Sequence, residues 1–428
     1  MKSRTVILLW IAAFALGITS YFVKFSNNEE NITRTTLSPG DQIIPDLPIR
    51  DVIKVTLSSG DQKTTLVRLD EQRWGVVERD NYAVNYELLR NLLGTLSELE
   101  VAQGYPAGEE QFERFGLSNE DKTNTRQMGD SGQALQVTIA GKDQTIIPTI
   151  FLGKYSGSGS NAGRFIRINN DESGVYAVGE TFPGITASPR DWLNKAFLQI
   201  DQIKSIAVSA PADPSFKPWQ LIRKDKADGS PDSTGQFNLA NMSEKEVMEL
   251  TSTNQLRNLL SYSSFQDILT TQEASDTANP DQTLKRHATI ITYDGFKYIL
   301  EFRPQKLKPV DPDADDRLPP VPPGYLLTIQ VNADIPEKRV PDQDESKEKP
   351  ETIQARDREF TKQREALMEK LATTRSLVGP IYQVGQSTIS PLLKRRSDFV
   401  KKLGKPSPAT PPLGIPGNSP GIPLYPQR

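Results

Sequence analysis

Hydrophobic and polar positions follow the same succession of patterns twice along this chain, over residues 51–176 and again over about 202–331. In the first stretch, Val52-Ile53-Lys54-Val55-Thr56-Leu57 and Thr65-Leu66-Val67-Arg68-Leu69 flank the turn Ser59-Gly60-Asp61 and lead to Trp74-Gly75-Val76-Val77. In the second, Ile203-Lys204-Ser205-Ile206-Ala207-Val208 precedes Trp219-Gln220-Leu221-Ile222-Arg223. Partial period-two alternation of β-branched and apolar residues, bounded by Gly, Asp or Pro, predicts strands and hairpins. Each Trp strand is followed by a helical pattern. Leu88, Leu89, Leu92, Leu93, Leu96 and Leu99 fall at three- and four-residue spacing, whereas Val247, Leu250, Leu256, Leu259 and Leu260 repeat that stripe less regularly. Strands resume at 135–139 and 288–293. Self-similarity at so long a period predicts a duplicated domain, not a short-repeat solenoid.

The apolar run at 5–23 contains no charged side chain and follows Lys2 and Arg4. At about 1.5 Å per residue it reaches roughly 28 Å, close to the hydrocarbon core of a bilayer. Ala13-Phe14-Ala15 would suit signal cleavage, but the run continues through Ile18, Tyr21, Phe22 and Val23, which favours an uncleaved anchor. Positive residues ahead of it place the remainder outside the cytoplasm, in a bacterial envelope the periplasm. The expected organisation is therefore an anchor at 1–24, a polar, Pro-punctuated linker at 25–48, a first α+β domain at 49–189 and a second at 190–335. Both domains are expected to hold antiparallel or mixed sheets. A hairpin loop is expected over 156–163, a short amphipathic helix over 190–198, and a Pro- and Asp-rich insert over 304–323 before a closing strand at 325–331.

Beyond residue 335 a charged linker at 336–352 leads to a helical extension at 353–405. One helix is predicted over 353–376, with Ile353, Phe360, Leu367 and Leu371 partly in heptad spacing. A second is predicted over 391–403, opened by Ser390 and Pro391 and stopped by Gly404. Its face would carry Leu392, Leu393, Phe399, Val400 and Leu403, with Arg396 the one charge on the apolar side. The tail at 406–428 is rich in Pro, Gly and Ser and predicts no packed structure.

Composition narrows the chemistry. The 428 residues suffice for two domains and tails, and a formal net charge of -3 gives no sign of a polyanionic partner. Without cysteine there are no disulfides, thiolate metal sites or cysteine nucleophiles. The single histidine, His287, rules out a multi-histidine metal site and is expected at the surface. The acidic run Asp311-Pro312-Asp313-Ala314-Asp315-Asp316 starts like a calcium loop but has Asp316 where Gly is needed and Pro322 where Glu is needed. The Gly-Ser segment at 156–163 joins strands and lacks a phosphate-loop pattern. Carboxylate pairs such as Glu109-Glu110 and Glu120-Asp121 have no distinguishing feature among 54 acidic residues. No catalytic, cofactor-binding or metal-binding residue is expected, and the chain is not expected to be an enzyme.

Trp74 and Trp219 admit two roles, stacking platforms for a ligand or core anchors of their hairpins. Their equal placement in the two patterns favours the core, given the area a buried Trp contributes. The basic helix at 391–403 has an apolar face that suits docking on protein better than an anionic membrane, because Arg396 interrupts it. Nucleic-acid binding is not expected, since interleaved aromatics are lacking there.

The order of Ile53-Lys54-Val55-Thr56-Leu57, Trp74-Gly75-Val76, the Leu88 to Leu99 stripe, Phe115-Gly116-Leu117, Ile150-Phe151-Leu152-Gly153, Tyr176-Ala177-Val178 and Asp191-Trp192-Leu193 resembles the bacterial DUF4340 family over about half the chain, 49–269. The resemblance implies a membrane-anchored protein associated with ABC-type transport systems, and it supplies no catalytic residues. The insert and the extension after 336 depart from the family pattern. The expected function is thus a non-catalytic accessory or scaffold subunit of an envelope complex, attached to the inner membrane through 5–23, with ABC-type permease or auxiliary subunits as partners. The alternative is a module that binds an envelope glycan or peptide.

Overall fold

The computed structural model describes residues 34–118, 134–142, 147–159, 162–226, 230, 232, 234–306, 324–341 and 348–402. The expected anchor at 5–23, the acidic run at 311–316 and the tail at 406–428 lie outside the described residues. Among the described residues, no helix is long and apolar enough to cross a membrane. The chain divides into two compact units. One runs through Ala196 and includes Phe265–Glu273; the other comprises Phe197–Ser264 and the chain from Ala274 onward. The residue expected to open the second domain, Arg190, therefore lies in the first unit.

In the first unit, nine strands form one sheet: β1 (Val52–Ser59), β2 (Gln62–Arg68), β3 (Trp74–Val76), β4 (Tyr82–Ala83), β5 (Val101–Pro106), β6 (Leu135–Gly141), β7 (Ile150–Ser156), β8 (Gly163–Ile168) and β9 (Gly174–Val178). Their order is β4-β3-β2-β1-β6-β7-β8-β9-β5, and every pairing is antiparallel. Alternation puts Val55, Leu57, Val137 and Ile139 inside. The leucine stripe forms helix α1 (Tyr86–Ser97), capped by the Asn85 side chain, which accepts from the Leu88 N–H at 3.2 Å. Leu89, Leu92, Leu93 and Leu96 are buried along it, each contributing about 1.5–3 kcal/mol. The hairpin expected around 156–163 is present as β7 and β8, with Ser156 opposite Gly163.

The linker expected over 25–48 is not free from Arg34 onward. Ile43, Ile44 and Leu47 are buried, and the Gly40 and Ile43 N–H groups donate to the Val101 and Leu99 carbonyls, each at 2.8 Å. The prolines that suggested a spacer punctuate a segment whose apolar residues find a core. Thr35 lies so close to Gly104 that a Cβ there would collide with its hydroxyl.

The second unit contributes β10 (Ile203–Ser209), β11 (Trp219–Arg223), β12 (Phe237–Leu239), β13 (Glu246–Met248), β15 (Arg286–Thr292), β16 (Phe296–Pro304), β17 (Tyr325–Ala333), β18 (Ile381–Val384) and β19 (Val400–Lys402). The short strand β14 (Asp267–Leu269) lies in the segment grouped with the first unit. Seven strands run β12-β11-β10-β15-β16-β17-β18, all antiparallel, while β13 and β19 form a separate ribbon. The fold is thus α+β with antiparallel sheets. The helix expected over 353–376 is α3 (Pro350–Arg375), numbered after the one-turn helix α2 (Leu250–Asn254). The extension is not purely helical, because it supplies β18 to the sheet.

Three expected elements differ. The helix of the second stretch reduces to α2, since Val247 is drawn into β13 opposite Lys401, and successive i→i+3 turns carry the chain from Thr253 to Ser261. Thr251-Ser252-Thr253-Asn254 are weak helix formers, and Leu260 adopts a left-handed φ of 61°, a cost of about 1–3 kcal/mol. The helix over 190–198 is only a turn, Pro189–Trp192. Leu193 then bridges to Val84 and buries fully beside Trp192, whose Nε1 donates to the Thr186 carbonyl at 2.8 Å. The basic helix over 391–403 is replaced by two short turns, Ser390–Leu393 and Arg396–Phe399, and by β19. Its misfit has a partner, because Arg396 donates to both Glu246 carboxylate oxygens at 2.7 and 2.8 Å.

Both tryptophans are core residues, 6% and 4% exposed. Their placement is not equal, however. Trp74 stands in the third strand of its unit, opposite Arg68, and Trp219 in the second, opposite Val208.

Candidate functional site

The outward face of β10, β11 and β15 carries an open groove of about 350 Å³, whose polar lining includes Ser209, Gln220, Asn241, His287, Thr289 and Arg396. Antiparallel register aligns its centre: Ser209 stands opposite His287, and His287 opposite Glu301. His287 Nδ1 lies 3.8 Å from one Glu301 oxygen, beyond hydrogen-bond reach, while Lys285 holds the other oxygen at 2.5 Å. The groove therefore offers a row of hydroxyl, imidazole and amide groups that can hydrogen-bond a polar ligand lying across the strands. One wall is fixed by Trp219, whose Nε1 donates to the Lys394 carbonyl at 2.8 Å and whose ring packs edge-on against Phe399 at 4.7 Å. Another is fixed by Arg396, which also donates to the Asn241 carbonyl at 3.1 Å. The Arg396 guanidinium beside Glu246 holds that carboxyl down to about 2.

The first unit concentrates its polar chemistry elsewhere. Asp171 accepts hydrogen bonds from the Ser173 hydroxyl at 2.6 Å, the Tyr176 hydroxyl at 2.5 Å and the Thr36 hydroxyl at 3.2 Å. Burial pushes the Asp171 carboxyl up, but these donors outweigh it and hold it below the ordinary carboxylate range. Burial and the Asp171 bond together push the Tyr176 phenol up. Arg79 is bidentate to Asp267 at 2.8 and 2.9 Å, which raises its own pKa. Arg167 is stacked between Phe151 at 4.0 Å and Phe112 at 5.0 Å, and its burial lowers its pKa.

Of the residues singled out from sequence, His287 lies in the groove, half-exposed, and Trp219 lines it. Trp74 is buried in the other unit. Glu109 and Glu110 are exposed at the start of the turn Glu109–Phe115. Glu120 and Asp121 lie outside the described residues. No cluster of three or more potential metal ligands occurs among the described residues. Ser209, Glu301 and Asn241 carry no signal in the sequence, and Arg396 stands out there only as a charge on an apolar helix face, because only strand register and the return of the C-terminal segment bring these residues to the region of His287.

No curated protein and no solved structure matches this chain. Residues 74–284 match DUF4340, a domain of unknown function, a span that holds Trp74, α1, most of the first sheet and the opening strands of the second. Through that segment the chain belongs to the DUF4340 family.

Proposed function

We propose that this chain is a non-catalytic scaffold, an accessory subunit of an ABC-type transport complex, held at the inner membrane through 5–23 with its bulk in the periplasm. The observation that carries the reading is that strong polar pairs join segments far apart in sequence within one unit. Asp171 holds Thr36, Asp267 holds Arg79, the Lys394 carbonyl holds Trp219, and Glu246 holds Arg396. Half-buried ion pairs add little net stability but fix one arrangement of the chain, as a part that must present a constant shape requires. The two sheets are read as copies of one unit. Register irregularities at Val52/Lys54 and at Ile203/Ser205 support this, as do Arg68 over Trp74 and Arg223 over Phe237 at matching strand positions. Purification of the full chain in mild detergent tests the reading. Permease and ATPase subunits recovered in stoichiometric amounts are expected, and a chain that purifies alone overturns it.

The groove around His287 favours a second reading, a binding module for an envelope glycan or peptide. A chain that purifies alone yet sediments with peptidoglycan, and loses that binding on His287→Ala, would establish it.

A further inference from the structure

We propose that residues 251–264 form a docking surface for a protein subunit, in which Tyr262 enters an apolar pocket of the partner and Arg257 meets a partner carboxylate. The composition of this stretch departs from the rest of the chain. Charged residues make up 25% of the protein, but Arg257 is the only one in Thr-Ser-Thr-Asn-Gln-Leu-Arg-Asn-Leu-Leu-Ser-Tyr-Ser-Ser. The centres of protein interfaces are depleted in Lys, Glu and Asp and enriched in Tyr and Arg, and hot spots are commonly Tyr, Trp or Arg. Tyr262 is 93% exposed, the highest value among the exposed large hydrophobic side chains.

The presentation is rigid. Leu256, Leu259 and Leu260 are buried beneath the turns, the Ser263 hydroxyl bonds the Leu198 carbonyl, and the Thr388 hydroxyl donates to the Ser264 carbonyl at 3.5 Å. A side chain displayed from a fixed loop loses little freedom on binding. The left-handed backbone at Leu260 is an outlier for a bulky residue, and such conformations persist where the surroundings enforce them and cluster at clamps and binding loops. Arg257 donates to the Thr234 carbonyl at 3.1 Å and has no ion pair among the described residues. It is thus an oriented cation in a segment whose own remaining side chains are uncharged, the Lys394 ammonium on the Ser252 hydroxyl adds a second positive charge, and the complementary group is a carboxylate.

The scaffold reading contributes only the expectation that the partner is a protein, and one experiment separates the two. A photoreactive phenylalanine analogue replaces Tyr262 in the full chain within cells, with the same probe at Tyr86 as control. The expected result is a protein adduct at 262 and none at 86. Arg257→Glu should reduce the adduct at least about tenfold, and reversing the charge of the carboxylate mapped at the crosslink should restore it. No adduct, an adduct with a second copy of this chain, an adduct with glycan, or one indifferent to Arg257→Glu overturns the docking surface. If the detergent complex forms without the adduct, the scaffold reading stands and this surface falls. If the restorable adduct forms with a protein outside any transport complex, the surface stands and the scaffold reading falls.

Discussion

After the fourth strand of its sheet, the first unit folds a leucine-rich segment into a twelve-residue helix, whereas the second unit folds its leucine-rich segment into one helical turn and a succession of tight turns. Both segments bury their leucines, so apolar content does not separate them. The residues between the leucines do. In α1 the strong formers Glu87 and Arg90 fill the early turns and Asn85 caps the start, which offsets the weaker Asn91, Gly94 and Thr95; around α2 they are all weak formers, Thr251, Ser252, Thr253 and Asn254, which compete for backbone hydrogen bonds. The second segment also loses Val247 to a ribbon whose other strand lies about 150 residues downstream, Val400–Lys402. Helix formation there was overridden by a distant partner.

The largest expected effect tests whether the turns are as firmly specified as the helix. Leu96 and Leu256 are both fully buried, so Leu96→Ala and Leu256→Ala should each cost about 2–5 kcal/mol, read from denaturant unfolding of the purified chain. A cost below about 1 kcal/mol at Leu256 alone would show a segment that collapses around the cavity instead of holding a defined structure.

Capping gives a smaller contrast. Asn85→Ala should destabilise by about 1 kcal/mol, the usual worth of an N-cap, because a helix of three turns depends on it. Glu249 caps only α2, accepting from the Thr251 N–H at 3.4 Å, and Glu249→Ala should change stability less than Asn85→Ala. Equal losses would contradict the view that the turns are held by burial.

Acid adds a test of the C-terminal segment that took the place of a second helix. Glu246 lies at about 2 in the folded protein, below its unfolded value near 4.5, so its contribution is present above pH 4.5 and is lost as the pH falls towards 2. The Arg396 contact should therefore loosen in that window, exposing 394–402 to proteolysis, and Glu246→Gln should reduce the pH dependence of cleavage there to what the Glu249–Lys401 pair contributes.

Much of the fold was legible because its strands are rich in β-branched and apolar residues, alternate in part and are bounded by turn residues. Strands β1, β2, β10 and β15 follow from that combination, although β2 buries three residues in a row, and α1 follows from its stripe. What was not legible depended on pairing. The outward row Ser209, His287 and Glu301 is defined by register across β10, β15 and β16, and Arg396 looked misplaced until Glu246, 150 residues away, was found beside it. The tryptophans were legible as core but not as strand positions, because Trp74 stands opposite Arg68 in the third strand of its sheet and Trp219 opposite Val208 in the second strand of its unit.

The smallest stability effect is expected at the two exposed tyrosines of the compared segments. Tyr86 is 57% exposed in the first turn of α1 and Tyr262 is 93% exposed beyond the turns of the second unit, so alanine at either should shift unfolding by no more than about 0.5 kcal/mol. Equal stability makes the pair informative, because any difference between them must then arise in the complex. Tyr262→Ala should lower recovery of partner subunits from detergent while Tyr86→Ala leaves it unchanged. If both variants recover the partners equally, the divergence of the two segments reflects only how each buries its leucines.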